Sequence, residues 1–169
     1  MYETTRLAIA LRMARAAAQW TQQEMAERLH LTKTMVARNE RPDMTMRADT
    51  LVKLIHTMRL EKVDIDLFTT ADRVVFYAEG SDLDAMAMRV CRAALNLSQQ
   101  TFADKVGLTK PLVTRGERSD KSMTSKTLNQ MKDALSEIGI KIDVNAMAST
   151  LMVRVERGAV EALEASHSR

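Results

Sequence analysis

Apolar positions recur along this chain at two different periods. Leu7, Leu11 and Ala14 are spaced by four and three, which predicts a helix capped at Thr4 or Thr5 and ending near Ala18. Met25, Ala26 and Leu29 predict a short helix over residues 22–29, with Thr21 as its N-cap. Thr32 predicts the cap of the next helix, which runs to about Asn39 with Val36 inward. Pro42 ends that part, and residues 50–59 form another amphipathic stretch with Leu51, Leu54, Ile55 and Met58 inward. The period then changes to two. Val63, Ile65 and Leu67, then Val74, Phe76 and Ala78, alternate with mostly polar neighbours and predict a β-hairpin. Gly80, Ser81 and Asp82 make a short joint in which Ser81 or Asp82 caps a further helix.

The same succession then returns at a constant offset of 77 without a gap. TQQEMAERLHLTKTMVARNER at residues 21–41 becomes SQQTFADKVGLTKPLVTRGER at 98–118, and about a third of the positions 8–79 are identical to their partners. Met88, Cys91 and Leu95 mark the first helix of the second copy, and Leu128, Met131 and Leu135 its last. Ile140, Ile142 and Val144, then Leu151, Val153 and Val155, mark its hairpin. His30 stands where the copy has Gly107, a turn position expected to need positive φ. The division is therefore 1–79 and 80–156 as two equivalent units, with 157–169 as a tail of a turn or two, expected to fray.

Composition narrows the function. Of 169 residues, 46% are hydrophobic and only 4% aromatic, with thirteen Met, so the core is aliphatic and offers no broad aromatic-lined ligand pocket. Net charge is only +3, but from Lys105 to Lys132 seven Lys or Arg face just Glu117 and Asp120. The single Cys91 excludes an intramolecular disulfide and sits at an apolar helix position, as a core thiol. His30, His56 and His167 have no metal-ligand spacing, and Asp64, Asp66 and Asp143 fall on the polar side of strands. No phosphate-binding glycine loop or nucleophile triad is present, so no enzyme activity, metal or cofactor is expected. No apolar run is long enough for a membrane span, and no signal-peptide pattern opens the chain, which makes a cytoplasmic location the expectation.

The repeated motif resembles the Cro/CI (XRE-like) helix-turn-helix superfamily. It does so through the cap and Gln at Thr21-Gln22 and Ser98-Gln99, Ala26 and Ala103, Thr32-Lys33 and Thr109-Lys110, and Arg-x-Glu-Arg at 38–41 and 115–118. The strands after the helices resemble those of HipB-type antitoxin-repressors. The resemblance implies a mainly α fold with a small β part: two tandem helix-turn-helix units, each followed by a β-hairpin, arranged as an intramolecular pseudo-dimer. It also implies that Gln22 and Gln99 contact phosphate, and that Lys33, Thr34, Ala37 and Arg38, with Lys110, Thr114 and Arg115, face base edges. By the same resemblance Arg41 and Arg118 hold backbone, while Arg15 pairs with Glu40 and Arg92 with Glu117 as structural ion pairs.

Two departures bear on those roles. Asn39 and Gly116 replace an apolar residue, so a short or frayed last turn is expected, and Pro111 removes the group corresponding to Thr34. The implied function is a regulator of transcription that occupies a double-stranded DNA operator, as a monomeric pseudo-dimer or a homodimer. An antitoxin gripping a toxin partner, and a protein-interaction module that has lost DNA binding, are the alternatives. The two hairpins are expected to join the units, because one hairpin alone is marginal in water.

Overall fold

The structure, a computed structural model, describes residues 2–42, 44–119 and 123–168. The helices are α1 (Tyr2–Ala18), α2 (Gln22–Leu29), α3 (Lys33–Asn39) and α4 (Ala48–Leu60), followed by strands β1 (Val63–Asp66) and β2 (Val74–Glu79). The copy supplies α5 (Leu83–Ala94), α6 (Gln99–Val106), α7 (Lys110–Gly116) and α8 (Ser125–Glu137), then β3 (Ile140–Asn145) and β4 (Thr150–Val155). A further helix, α9 (Arg157–His167), closes the described chain. The protein is mainly helical with a small sheet.

Local chemistry fixes the short helices. Thr21 accepts from the Glu24 N–H at 3.1 Å while Glu24 Oε2 accepts from the Thr21 N–H at 2.6 Å, a complete capping box. Ser98, Thr32, Thr109 and Thr124 cap α6, α3, α7 and α8 in the same way from one side. The turns after α2 and α6 are left-handed at His30 (φ 55°) and Gly107 (φ 69°), so the unit with His holds a conformation that glycine adopts without a Cβ penalty. Two more positive-φ positions recur at the same offset, Gln19 with Asn96 and Lys62 with Gly139.

The two hairpins form one antiparallel sheet in the order β1-β2-β4-β3. Along the central seam Phe76 lies opposite Val153, its own partner in the repeat. One face of the sheet is buried, through Val63, Ile65, Val74, Phe76, Ala78, Ile140, Ile142, Leu151, Val153 and Val155. The edge strands carry Asp64, Asp66, Lys141 and Asp143 on the other face, charges that discourage pairing with a further strand.

The strands are not the whole join. α1 packs along α5, and both helices are largely buried, Ala8, Ile9 and Met13 of one and Ala85, Met88 and Val90 of the other among them. Two arginines lock the contact reciprocally. Arg12 Nε donates to the Ala93 carbonyl at 3.0 Å, and Arg89 Nε to the Ala16 carbonyl at 3.3 Å, the same pair with the units exchanged.

Several expectations are corrected. α1 starts at Tyr2, so Thr4 and Thr5 lie inside the helix and not at its cap. The chain enters at Tyr2 because Tyr2 and Arg6 are anchored to carbonyls of the loop between β1 and β2, Arg6 Nε reaching Arg73 O at 3.0 Å. α4 runs from Ala48, and Leu54 and Met58 are buried whereas Leu51 and Ile55 are only half-buried. Asp82 precedes α5 but does not cap it; its carboxylate accepts from Ser119 Oγ at 2.6 Å and lies 3.7 Å from the Arg89 guanidinium. The tail forms α9, an eleven-residue helix packed on α1 with Ala159 and Val160 buried. Gly139 makes room for it, since a Cβ there would meet the Ala159 Cβ at 3.3 Å.

The last turns of α3 and α7 are closed, not frayed. Glu40 N–H donates to Val36 O and Glu117 N–H to Val113 O, both at 3.0 Å. Gly116 is buried, and a Cβ on it would stand 2.8 Å from Met88 Sδ. In the first unit the residues corresponding to Gly116 and Met88 are Asn39 and Leu11. Gly116→Ala should therefore lower stability by up to about 1 kcal/mol, because the obstacle is the flexible end of Met88, which can shift at modest cost. In a Met88→Ala background the same change should become neutral or favourable, through the better helix propensity of Ala. Urea unfolding of the four proteins checks this, and equal effects in both backgrounds would show that Met88 is not the obstacle.

Candidate nucleic-acid interface

The two copies of the helix pair place the same side chains in the same way. In unit one, Glu40 is buried just after α3 and accepts from Arg15 Nε and, at 3.2 Å, from Arg15 Nη2. Gln22, at the first position of α2, adds a donation from Nε2 to Glu40 Oε2 at 2.8 Å. In unit two, Arg92 forks onto Glu117 likewise, with Nη2 to Oε2 at 3.1 Å, and Gln99 Nε2 donates at 2.9 Å. Arg15 Nη1 also donates to Trp20 O at 3.2 Å and Arg92 Nη1 to Leu97 O at 3.0 Å. One carboxylate thus ties α1, α2 and the end of α3 together, and the other ties α5, α6 and α7. A planar bidentate guanidinium suits that task better than a lysine.

This places Gln22 and Gln99 in the frame as well as at the surface. Both are half-buried, and each commits an amide hydrogen to a buried glutamate. Gln99 is held at its other end too, because Thr114 Oγ1 donates to Gln99 Oε1 at 3.0 Å. Ala37 occupies the position corresponding to Thr114, so Gln22 lacks that second tether. The two units therefore differ at the glutamine as well as at Pro111.

The remaining residues of the proposed reading face point outward. Lys33, Thr34 and Arg38 of α3 are exposed, Ala37 is half-exposed, and Arg41 beyond the helix is exposed. On α7 and just after it, Lys110, Pro111, Thr114, Arg115 and Arg118 are exposed and line an open groove of about 330 Å³. No hydrogen bond or ion pair among the described residues engages the side chains of Lys33, Arg38, Lys110 or Arg115. Met35 and Leu112, at matching positions of the same helices, are exposed apolar side chains at 41% and 37%, and join this face as residues the sequence reading left out.

Two further arginines, Arg12 and Arg89, are absent from the residues that the motif singles out. Arg12 is 4% exposed and has only carbonyl partners: Glu40 O at 2.7 Å, Ala94 O at 2.9 Å and Ala93 O. Burial pushes its pKa down to about 10, against the pull of the Glu40 carboxylate. Arg89 donates to Glu117 O at 2.8 Å, and burial lowers its pKa against the pull of Asp82. A signal was present in the sequence. Both are arginines at one offset inside otherwise apolar helix segments, which spells a satisfied buried cation.

Among the described residues no group of His, Cys, Asp or Glu is arranged to hold a metal ion. Burial pushes the Cys91 thiol well above its ordinary range, consistent with a packed side chain. No described helix is long and apolar enough to cross a membrane. Comparison with protein-family models, with curated proteins and with solved structures finds no match for the chain.

Proposed function

We propose that this chain is a sequence-specific double-stranded DNA-binding regulator of the Cro/CI (XRE-like) helix-turn-helix kind, acting by operator occupancy. In this reading α2–α3 and α6–α7 are its two heads, and the joined units form an intramolecular pseudo-dimer. The observation that carries it is the repetition of an unpartnered cation face. Lys33 with Arg38, and Lys110 with Arg115, stand exposed on short helices that are tied to the rest of each unit by half-buried Arg–Glu pairs. Exposed, uncompensated guanidinium and ammonium groups on a rigid helix match the base-edge acceptors of a major groove, and in this reading Arg41 and Arg118 hold phosphate. Two heads on one chain suit half-sites one turn apart, roughly 34 Å.

Selection of bound sequences from random duplex DNA at two salt concentrations tests the reading. A bipartite, imperfectly palindromic site is expected, since Pro111 offers no group where Thr34 does. If neither salt enriches any sequence, operator recognition is wrong.

One observation favours a protein partner in addition. Val52 and Phe68, 63% and 69% exposed, line one groove with the half-buried Ile55, and Leu60 is 73% exposed at the end of the same helix, α4. The second unit builds the equivalent helix with Asn129, Glu137 and Lys132 at the positions of Val52, Leu60 and Ile55, and has Asn145, the last residue of β3, at the position of Phe68, which lies in the loop after β1. Packing therefore does not require apolar side chains there, and exposed apolar clusters mark contact surfaces. The antitoxin-like reading uses this face. Replacing Val52, Leu60 and Phe68 by their second-unit counterparts should leave melting within about 1 kcal/mol of the parent and abolish any self-association or partner capture. A large loss of stability would return these side chains to the core.

A further inference from the structure

Between the two units, where the C-terminal ends of α1 and α5 meet, lies an open cleft of about 410 Å³. Five positions of the first unit and the same five of the second line it, so it belongs to neither unit alone. Its charged side chains are four arginines, Arg12, Arg15, Arg89 and Arg92. The carboxylates bound to that set are Glu40, Glu117 and, toward Arg89 alone, Asp82. Positive charge is in surplus, most of all at Arg12, which has carbonyls and no carboxylate as hydrogen-bond partners.

Donors remain open. A guanidinium has five N–H groups. Those of Arg15 and Arg92 have the three partners named for each above, and their side chains are 28% and 29% exposed. Helix C-termini ordinarily repel anions. Here the Ala16 and Ala93 carbonyls are already taken by Arg89 and Arg12, which removes much of that objection. Gln19 and Asn96 stand exposed at the mouth and bring no charge. With about 30 Å³ for each water, the space admits a phosphate together with bridging waters.

We propose that this shared cleft is a phosphate-binding site, the anion being held by the outward N–H groups of Arg15 and Arg92. The phosphate comes either from a free small phosphate or from a DNA phosphodiester passing between the two heads; the second source rests on the reading under Proposed function.

The test uses the full chain and a Gln19→Glu, Asn96→Asp double variant. That pair adds two negative charges at the mouth without touching an arginine partner, and Asp, like Asn, tolerates the left-handed backbone. Melting is followed in sodium phosphate against sodium chloride of equal ionic strength. Wild type should show a saturating, phosphate-specific rise in Tm, and the double variant should need at least about ten times more phosphate for the same rise. In parallel, affinity for a random-sequence duplex is measured, with Asn129→Asp, Asn145→Asp, exposed on α8 and β3, as a charge-matched control outside both the cleft and the two helix pairs. A loss of about tenfold beyond the control, equal for all sequences, assigns the occupant to the DNA backbone. Phosphate-specific stabilisation with unchanged duplex affinity assigns it to a free phosphate. No phosphate-specific rise together with a duplex affinity equal to the control overturns the site. Wild type that binds no duplex removes the DNA reading, and the phosphate titration alone then decides the cleft.

Discussion

Glu40→Ala should lower the unfolding free energy by about 3–5 kcal/mol, the usual consequence of removing one partner from a buried ion pair. Glu40 is 7% exposed and receives two N–H groups of Arg15 and one of Gln22, so its loss leaves three donors without an acceptor. For a chain of this size that corresponds to a fall in Tm of roughly 6–20 °C. Glu117→Ala should follow the same course with a smaller effect. Among the described residues Glu40 is the carboxylate that offsets the buried Arg12, whereas Arg89, its counterpart, is offset by Glu117 and also by Asp82 at 3.7 Å. Glu40→Gln, which keeps shape and loses charge, should fall between parent and alanine variant. Urea unfolding of the three variants checks the order. Near-parental stability of Glu40→Ala would mean the pair is solvated in solution and does not organise the head.

Arg38→Ala and Arg115→Ala should each blur a different half of the selected DNA site, at about 1–3 kcal/mol for each lost base contact. The two losses should be close to additive, because the side chains lie on α3 and α7, in different units, with no shared partner among the described residues. Combined, they would cost about 2–6 kcal/mol, or roughly 30-fold to 10⁴-fold in affinity. Gln22→Ala and Gln99→Ala differ in kind. Each takes a donor from a buried glutamate, so both should reduce stability as well as duplex affinity, while a neutral side chain leaves the salt slope unchanged. Binding-site selection and salt titration on wild type and these variants measure all of this. An Arg38→Ala protein that selects the parental site undiminished would remove α3 as a reading helix.

The boundaries of α2 and α3 follow from residues a few positions apart. Thr21 with Glu24, Thr32 with Met35, and the left-handed residue at 30 or 107 close their own hydrogen bonds locally, and local chemistry is written in the sequence. The strands were legible for a similar reason, since alternation at Val63, Ile65, Val74, Phe76 and Ala78 requires one buried face. The start of α1 was not legible, because Tyr2 and Arg6 are held by carbonyls some seventy residues away. Nor was α9. Its few apolar residues predict fraying for an isolated helix, and only the docking of Ala159 and Val160 beside α1 and Gly139 stabilises it. By itself the sequence determined that a unit of helices and a hairpin is built twice at an offset of 77, with Lys33, Arg38, Lys110 and Arg115 on polar helix faces. Tertiary structure alone decided that α1 lies on α5, that Arg12 and Arg89 cross between units, and that an arginine-lined cleft opens there. The reason is physical: periodicity records which side of an element is buried, but not which distant surface buries it.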